Sequence, residues 1–432
     1  MEKADILIQG CLILPMSHAS FIEDGGLAIK GQKIRFVGKR SATANITAEI
    51  KLNAKGMVAI PGLINCHTHV PMTLFRGIAE DQPLNTWLEN TIWPLEAKLK
   101  TDDIYAGALL GCLEMIKSGT TCFADMYFHE SMVAKAVEKS GLRGVLAEGI
   151  IEFEKAQGEK MLKASVSFAK TFHGHANGRI TAFLGPHAAY SCSPELLEKI
   201  RENASELGIG AHIHLSESEE MFSKLENKHG STEVEFLERI GFFKGHTLAA
   251  HCIHLSEKDR RILSKHRVHV AHNPVANAKL GLGIAKVKEL FDLGINVGLG
   301  TDGPATNNTL DMFETMKFAA LLQKHLYLDP KSLSAYETLK MATINAAKAL
   351  KLEESIGSLE VGKKADVILV DLLKPHLRPM HNIYANLVHS ARGSDVDTVI
   401  VDGKIVMANR QVKTLDEQAV MENAEKTALS LN

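Results

Sequence analysis

The sequence predicts an α/β fold, a (β/α)8 TIM barrel joined to a small β-sandwich domain that the N- and C-terminal segments form together. Apolar segments rich in β-branched residues recur eight times between residues 58 and 300, and helix-like patterns fill the intervals. Parallel strands that are buried on both faces produce such continuous apolar runs. Shorter strand patterns punctuated by glycine flank this alternation on both sides, and they predict the second domain.

The alternation is regular enough to place most of the barrel elements. The predicted barrel strands are 58–64, 120–125, 143–150, 180–185, 209–215, 246–251, 267–272 and 295–300. The predicted helices are 102–117, 131–140, 194–207, 231–240, 256–265, 285–293 and 310–324. A doubly wound open sheet is the competing architecture, but no G-x-G-x-x-G fingerprint follows the first predicted strand. We therefore expect residues 59–359 to form the barrel.

The two ends of the chain share a different texture. Short strands are predicted at 5–8, 26–29, 33–37 and 365–371, and a hairpin at 396–407 turns at Asp402-Gly403. We expect residues 1–58 and 360–432 to pair into the β-sandwich, with a C-terminal helix at the end. Between the first predicted strand and the first helix lies a loop, 71–99, whose length is typical of a binding loop or lid.

Composition excludes several classes of partner. The 49 Lys and Arg residues balance 51 Asp and Glu residues, so no strong field exists to recruit nucleic acid or an anionic membrane. A small, roughly neutral ligand is favoured instead. The six cysteines fall singly, and the apolar run 6–16 is too short for a membrane span or a signal core, so we expect reduced thiols in a cytoplasmic protein.

Polar side chains stand at the C-terminal end of nearly every predicted barrel strand. A single histidine beside an apolar strand is more often a structural core residue than a ligand. Several at equivalent strand ends are hard to obtain by chance, and in a barrel those ends form the active-site face. The residues at these positions are His67, His69, Asp125, Glu148, His187, His214, His251, His272 and Asp302.

Two of these histidines, His67 and His69, are two residues apart, so a strand would point both the same way. With His214 and Asp302 they supply three imidazole nitrogens and one carboxylate, a set that suits one divalent ion and leaves room for water. Such an ion lowers the pKa of a bound water to about 7. The structural alternative for Asp302 is a surface turn, since T-D-G-P is common there.

Two further groups could handle protons beside that ion. Glu217 follows His214 by three residues, close enough to act as a proton carrier, although a glutamate in a first helical turn is often only structural. His251, in the run 248–254, could hydrogen-bond the attacking water. The residues alone therefore predict a hydrolytic site at a bound divalent ion, with the structural alternatives for Asp302 and Glu217 still open.

Five stretches resemble the amidohydrolase superfamily: 61–69, 212–217, 249–252, 272–274 and 300–308. Three more, 83–89, 93–96 and 185–190, resemble the branch that deaminates 5′-substituted adenosines such as 5′-deoxyadenosine, methylthioadenosine and S-adenosylhomocysteine. The similarity spans essentially the whole chain. It implies hydrolytic deamination of the adenine ring to the inosine analogue plus ammonia, in a homo-oligomer (dimer or tetramer) that acts on a small nucleoside.

The resemblance also implies a role for each site residue. One divalent ion, zinc before iron or manganese, would be held by His67, His69, His214 and Asp302. Glu217 would protonate the adenine ring nitrogen, and His251 with Asp302 would orient the water and accept its proton. The implied substrate contacts are Glu96 on the ribose hydroxyls, His187 beside the ribose or purine, and Trp87 over the 5′ substituent.

Glu148 departs from the pattern of relatives that favour S-adenosylhomocysteine, which carry an arginine there. A carboxylate would repel the carboxylate of that substrate's tail, so we expect 5′-deoxyadenosine or adenosine to be preferred. Arg76 is another cation that could lie near and weaken the preference. The open alternatives are a preference for S-adenosylhomocysteine or methylthioadenosine, a free-base substrate such as guanine, and a metal-binding protein without activity.

Overall fold

The computed structural model describes residues 2–78, 80–220, 223 and 230–431, which contain two β-sheets. Numbered along the chain, the strands are β1 (Glu2–Ile13), β2 (Ile22–Lys30), β3 (Lys33–Lys39), β4 (Ile46–Asn53), β5 (Met57–Pro61), β6 (Leu63–Thr68), β7 (Thr120–Tyr127), β8 (Arg143–Ile150), β9 (Ile180–Pro186), β10 (Ala211–Leu215), β11 (Thr247–His251), β12 (His269–His272), β13 (Val297–Leu299), β14 (Val367–Asp371), β15 (Val396–Val401), β16 (Lys404–Ala408) and β17 (Gln411–Val412).

Strands β6 to β13 form the barrel. They lie side by side in chain order, and each neighbouring pair is parallel. The backbone N–H of Asp302, just after β13, donates to the carbonyl oxygen of His67 in β6 at 2.9 Å, so the last strand meets the first. Fully buried side chains such as Phe183 and Leu248 form the cluster at the barrel strands. The predicted (β/α)8 architecture is confirmed, and the open doubly wound sheet is wrong.

The first predicted strand, 58–64, is divided between the two sheets. Its first part is β5, which pairs with β14 and β1, whereas the barrel strand β6 begins at Leu63. The chain crosses from one sheet to the other at Gly62, where a Cβ would lie 2.1 Å from the Thr121 hydroxyl. Because the apolar run continues through Gly62, the sequence pattern did not reveal this boundary.

The helices cover the barrel between its strands. The α-helices of six or more residues are Thr101–Ser118, Glu130–Ser140, Lys155–Phe172, Pro194–Glu206, Glu233–Arg239, Glu257–Lys265, Pro274–Lys279, Val287–Asp292, Met312–Tyr327, Ala335–Met341, Ile344–Ala349 and Glu417–Ser430. All seven predicted helices between the strands are present, within three residues at each end. The 18-residue helix Lys155–Phe172 was not predicted, since its buried face includes Gly158 and Ser165 and its N-cap residue makes no side-chain bond.

The second sheet unites both ends of the chain. Its strand order is β17-β16-β15-β14-β5-β1-β2-β3, with β4 paired to β1, so the N-terminal and C-terminal strands meet where β14 runs antiparallel to β5. Fully buried side chains from both ends, including Ile8 and Val367, share one core cluster. The predicted hairpin turn is confirmed, with Asp402 and Gly403 both at positive φ as its tight geometry requires.

A buried ion pair links the barrel to this second sheet. The Arg143 guanidinium at the start of β8 donates from Nε and Nη2 to both carboxylate oxygens of Asp366, each at 3.0 Å. Both side chains are 3% exposed.

All six cysteines are buried and free. No described helix combines the length and apolarity that crossing a membrane would require.

Replacing Arg143 with leucine should lower the free energy of unfolding by about 3–5 kcal/mol, because the buried Asp366 carboxylate would lose its bidentate partner. Urea unfolding followed by far-ultraviolet circular dichroism measures the change. The matched control is Arg261→Leu, since Arg261 pairs with Glu257 at the exposed surface and its loss should leave the midpoint nearly unchanged. Similar shifts in the two variants would contradict the role given to the buried pair.

Candidate active site

The four predicted metal ligands converge at one end of the barrel. His67 Nε2 and His69 Nε2 lie 3.4 Å and 3.3 Å from the same oxygen, Asp302 Oδ1. His214 Nε2, from the end of β10, lies 3.3 Å from His69 Nε2. Residues separated by up to 235 positions in the sequence thus bring four donor atoms to one point.

The spacing of these atoms fits the donor set of a single tetrahedral ion. Ligand atoms placed ~2.0–2.1 Å from a tetrahedral zinc lie about 3.3 Å from one another. Two imidazole nitrogens that face each other with their lone pairs repel unless a proton or a cation lies between them. His67 Nε2 is buried and has no hydrogen-bond partner in the described part of the chain, as expected of an atom that donates to a metal.

Backbone carbonyls fix the orientation of two of these rings. His69 Nδ1 donates to the Met126 carbonyl at 2.6 Å, and His214 Nδ1 donates to the His187 carbonyl at 2.8 Å. A carbonyl oxygen only accepts, so the proton sits on Nδ1 and the lone pair of Nε2 points to the centre of the site. The third ring, His67, is held through Nδ1 by His212 Nε2 at 2.8 Å.

Asp302 is prepared to be an anion although it is buried. Burial would raise its pKa, but the close contacts of its carboxylate with the His67 and His69 imidazoles hold the pKa well below its usual value. Its second oxygen accepts a hydrogen bond from the Thr306 hydroxyl at 2.8 Å. The backbone of Asp302 has a φ of 65°, a conformation that costs energy in a non-glycine residue and that occurs often at active sites.

Glu217 and His251 face each other beside the ligand set. His251 Nε2 lies 3.6 Å from Glu217 Oε1, and its Nδ1 donates to the amide oxygen of Asn277 at 2.9 Å. With the proton on Nδ1, the Nε2 of His251 is left as an acceptor. Burial raises the pKa of Glu217, so its carboxyl can hold a proton at a pH where an exposed glutamate has lost it.

A cavity opens from this cluster and extends under residues 84–96, which we call the cover helix. Trp87 and Glu96 of the cover helix and His187 all line it, so the long loop predicted at 71–99 contributes directly to the site. The lining residues are His69, Met72, Leu84, Trp87, Leu88, Ile92, Trp93, Glu96, Met126, Tyr127, Phe128, Gly149, Ile151, His187, Tyr190, His214, Glu217, His251, Asp302 and Thr306.

The polar groups of this cavity have distinct environments. Burial raises the pKa of Glu96 to about 7, with Tyr127 and His69 acting in the opposite direction. Burial lowers the pKa of His187 to about 4, so its imidazole is neutral at neutral pH. The His187 ring lies 4.8 Å from that of His214, and its Nδ1 is 3.0 Å from the Ser191 hydroxyl.

Glu148 is not brought into this cavity with the other predicted residues. Its two carboxylate oxygens accept hydrogen bonds from the backbone N–H groups of His129 and Glu130, each at 2.9 Å, where a helix begins. Glu148 lines a neighbouring cavity, which shares Trp93 and Glu96 with the first. Arg76 is paired with Glu114 and lines neither cavity.

Sequence patterns missed two residues that orient the site. Asn277, in the helix Pro274–Lys279, determines which nitrogen of His251 carries the proton, and His212 holds His67. His212 alternates with His214 on β10, and this spacing could have indicated a second inward-facing imidazole. No comparable signal precedes Asn277.

The ring nitrogens of His272 at the end of β12 are buried without a partner among the described residues.

Comparisons with known proteins agree with this geometry. The model of the amidohydrolase family matches residues 58–406. A 5-methylthioadenosine/S-adenosylhomocysteine deaminase of Pelotomaculum thermopropionicum is 49% identical over 430 residues, which cover 99% of each chain. A 5′-deoxyadenosine deaminase of Methanosarcina acetivorans is 48% identical over 430 residues, covering 99% of this chain and 98% of its own.

Solved structures are similar over the same extent. An adenosine deaminase of Xanthomonas campestris with bound zinc superposes with a TM-score of 0.96 at 30% identity, covering 100% of this chain and 99% of its own. Atrazine chlorohydrolase TrzN of Arthrobacter aurescens, complexed with zinc, gives a TM-score of 0.92 at 25% identity, covering 98% and 100%. With the family model matching most of its length and relatives near half identity along nearly all of it, the chain belongs to the amidohydrolase family.

Proposed function

We propose that this protein is a metal-dependent deaminase that hydrolyses the 6-amino group of 5′-substituted adenosines. The observation that carries the proposal is one cavity whose lining combines two chemically different sets of groups. Three of the four predicted metal ligands and Glu217 line it, and so do Glu96 and Trp87. Relatives at 48–49% identity that are named for deamination of such nucleosides support it.

His67, His69, His214 and Asp302 would hold one divalent ion. When bound, the ion would supply the Lewis acidity that makes a water molecule nucleophilic near neutral pH. Metal identity is part of the proposal: zinc is favoured, as in the solved relatives that contain it, and iron and manganese also suit these ligands. A cytoplasmic location and assembly into a dimer or tetramer complete the proposal.

The protein side chains move the protons. Glu217, whose pKa is raised by burial, donates a proton to N1 of the adenine ring while water adds at C6. His251 Nε2 is an acceptor, so it orients the water, and together with Asp302 it takes up the proton that the water loses. That proton leaves with the amino group as ammonia, the hydroxyl proton of the C6 adduct returns to Glu217, and the product is the inosine analogue.

A second set of lining residues would bind the sugar. Glu96 can accept hydrogen bonds from the ribose hydroxyls, His187 would lie beside the sugar or purine, and Trp87 offers an apolar face to the 5′ substituent. A free base such as guanine makes no use of the contacts that Glu96 and Trp87 offer. Purified protein should therefore turn over adenosine nucleosides faster than any free base.

The environment of the 5′ substituent favours small, uncharged groups. In the part of the chain that the structure describes, no lysine or arginine lines the cavity. The carboxylate of Glu148 lies in the neighbouring cavity, where it would repel the carboxylate of an amino-acid tail. We therefore propose that 5′-deoxyadenosine, adenosine and methylthioadenosine are used in preference to S-adenosylhomocysteine.

Glu217→Gln should lower kcat for 5′-deoxyadenosine by about 10²–10⁴-fold, because glutamine keeps the shape of the side chain but carries no transferable proton. Loss of the adenine absorbance with simultaneous release of ammonia measures the rate. The matched control is Glu219→Gln, an exposed glutamate two residues further on, which should retain wild-type activity. Wild-type protein that deaminates no adenosine derivative would refute the proposed function.

Removing the metal should abolish turnover while leaving the fold intact. Dialysis against a chelator removes the ion, and elemental analysis before and after should show close to one divalent ion lost per chain. Adding back one equivalent of zinc should restore activity and raise the temperature of unfolding, since the ligand binds only the native state. Full activity in protein shown to contain no metal would contradict the assignment.

Glu148→Arg should raise the ratio of kcat/KM for S-adenosylhomocysteine to that for 5′-deoxyadenosine by about tenfold, the effect of one new charge-assisted hydrogen bond. The control Glu148→Gln removes the negative charge without adding a cation and should change the ratio less. Both variants lose part of the carboxylate cap on the helix Glu130–Ser140, so both should unfold at lower temperature. An unchanged ratio in Glu148→Arg would show that Glu148 does not determine specificity.

A further inference from the structure

The cover helix contains one turn that is wider than the others. Its first and last parts, Leu84–Trp87 and Trp93–Glu96, are α-helical, and the segment between them, Leu88–Ile92, is a π-helix. The N–H of Trp93 donates to the carbonyl of Leu88, five residues back. A π turn of this kind holds one residue more than an α turn.

The extra residue determines which side chains face the cavity. Trp87 and Glu96 are nine positions apart, and in a regular α-helix, at about 100° per residue, nine positions amount to about 900°, which places them on opposite sides. Both nevertheless line the same cavity. Because the wide turn accommodates one residue more, the rotation between Trp87 and Glu96 is smaller by about 100° than in a regular α-helix. The two side chains then lie within about 80° of each other.

The exposure of the other residues of the cover helix also agrees with one additional residue in the wide turn. Leu84 before the wide turn and Ile92 at its end are buried and line the cavity. Glu89, Asn90 and Pro94 are exposed. Leu84, Leu88 and Ile92 are four residues apart and would share one side of a regular α-helix as well. The wide turn is needed to bring Trp93 and Glu96 to the side of the helix that Trp87 occupies.

Pro94 provides the physical reason for the wide turn. Proline has no N–H to donate, and in a regular α-helix its ring would press against the carbonyl of the residue four positions earlier, which is Asn90. The helix avoids that contact by widening directly before Pro94, as helices often do at proline or at π turns. The motif Trp93-Pro94-Leu95-Glu96 thus combines the cause of the wide turn with the carboxylate that the turn redirects.

We infer that Pro94 and the π turn are positioning elements that aim Glu96 at the sugar of the nucleoside while Trp87 stays over the cavity. This inference rests on the proposed function, because it assigns the sugar contact to Glu96. An uninterrupted α-helix would turn Glu96 away by about 100° and would leave the metal ligands and Glu217 untouched. The expected defect is therefore a loss of recognition of the sugar hydroxyls.

Three variants distinguish the effect of the number of residues between Trp87 and Glu96 from the effect of the residue types at positions 90 and 94. Deleting Asn90 together with Pro94→Ala removes the extra residue and permits an uninterrupted α-helix. Pro94→Ala alone keeps the length but removes the cause of the wide turn. The matched control Asn90→Ala changes the exposed residue and keeps both the length and Pro94.

The kinetic comparison uses adenosine and 2′,3′-dideoxyadenosine, which lacks both hydroxyls that Glu96 would bind. Wild type and Asn90→Ala should prefer adenosine by about tenfold or more in kcat/KM, since a site built to bind a hydroxyl rejects a substrate without one. The deletion variant should lose most of that preference, as should Glu96→Gln, and Pro94→Ala should lose part of it. The metal content of all four variants should match wild type.

A second measurement needs no turnover. Both tryptophans of the protein, Trp87 and Trp93, lie in the cover helix, so tryptophan fluorescence is a signal from this helix alone. Titration with the product inosine should give a weaker Kd for the deletion variant and a wild-type Kd for Asn90→Ala. The emission spectrum of the free deletion variant should also differ from that of wild type, because Trp93 is rotated.

The outcomes distinguish this inference from the proposed function. If wild type deaminates adenosine but the deletion variant and Pro94→Ala keep the full preference over the dideoxy substrate, the positioning role is refuted and the function stands. If wild type deaminates neither nucleoside, the proposed function fails instead. Should the deletion variant not fold, Pro94→Ala decides: loss of the preference supports the inference, and its retention overturns it.

Discussion

The hydrogen bond from the Asp302 N–H to the His67 carbonyl is the constraint on which the site depends. It joins the last barrel strand to the first at 2.9 Å, and both residues are also predicted metal ligands. Closing the barrel and assembling the ligand set are therefore one event. The predicted ligands lie on barrel strands or within three residues of their ends. The register of these strands is determined by their neighbours, which keeps the ligand positions more precise than those of groups on long loops.

The interior of the site is arranged so that the polar groups do not neutralise one another. Main-chain carbonyls accept the Nδ1 protons of His69 and His214, and the amide oxygen of Asn277 accepts that of His251. In the neutral form of each ring, these bonds place the proton on Nδ1 and leave the lone pair on Nε2. Burial acts on the carboxyl groups in different ways, since the histidine contacts keep Asp302 an anion whereas Glu217 has a raised pKa. Proton carrier and metal ligand are thus separated by environment alone.

The sequence predicted those parts of the molecule that follow from periodicity. Eight apolar segments with polar residues at their ends were enough to predict the barrel and to bring His67, His214 and Asp302 together before any coordinates. The division of the first strand at Gly62 was not visible, because both halves are apolar and only a contact with Thr121 excludes a side chain there. The carboxylate of Glu148 binds backbone N–H groups, which nearly every residue type carries, so no sequence pattern could predict this contact.

The burial of the six cysteine side chains has a practical consequence for labelling the protein. All are buried, and burial raises the pKa of the thiol of Cys122, for example, to about 12. Only the thiolate reacts readily with alkylating reagents, so the folded chain should be almost unreactive towards them. In the variant Glu89→Cys, the introduced cysteine at this exposed position would then be the single accessible thiol, and a dye attached there would report on the surroundings of the cover helix in an otherwise natural sequence.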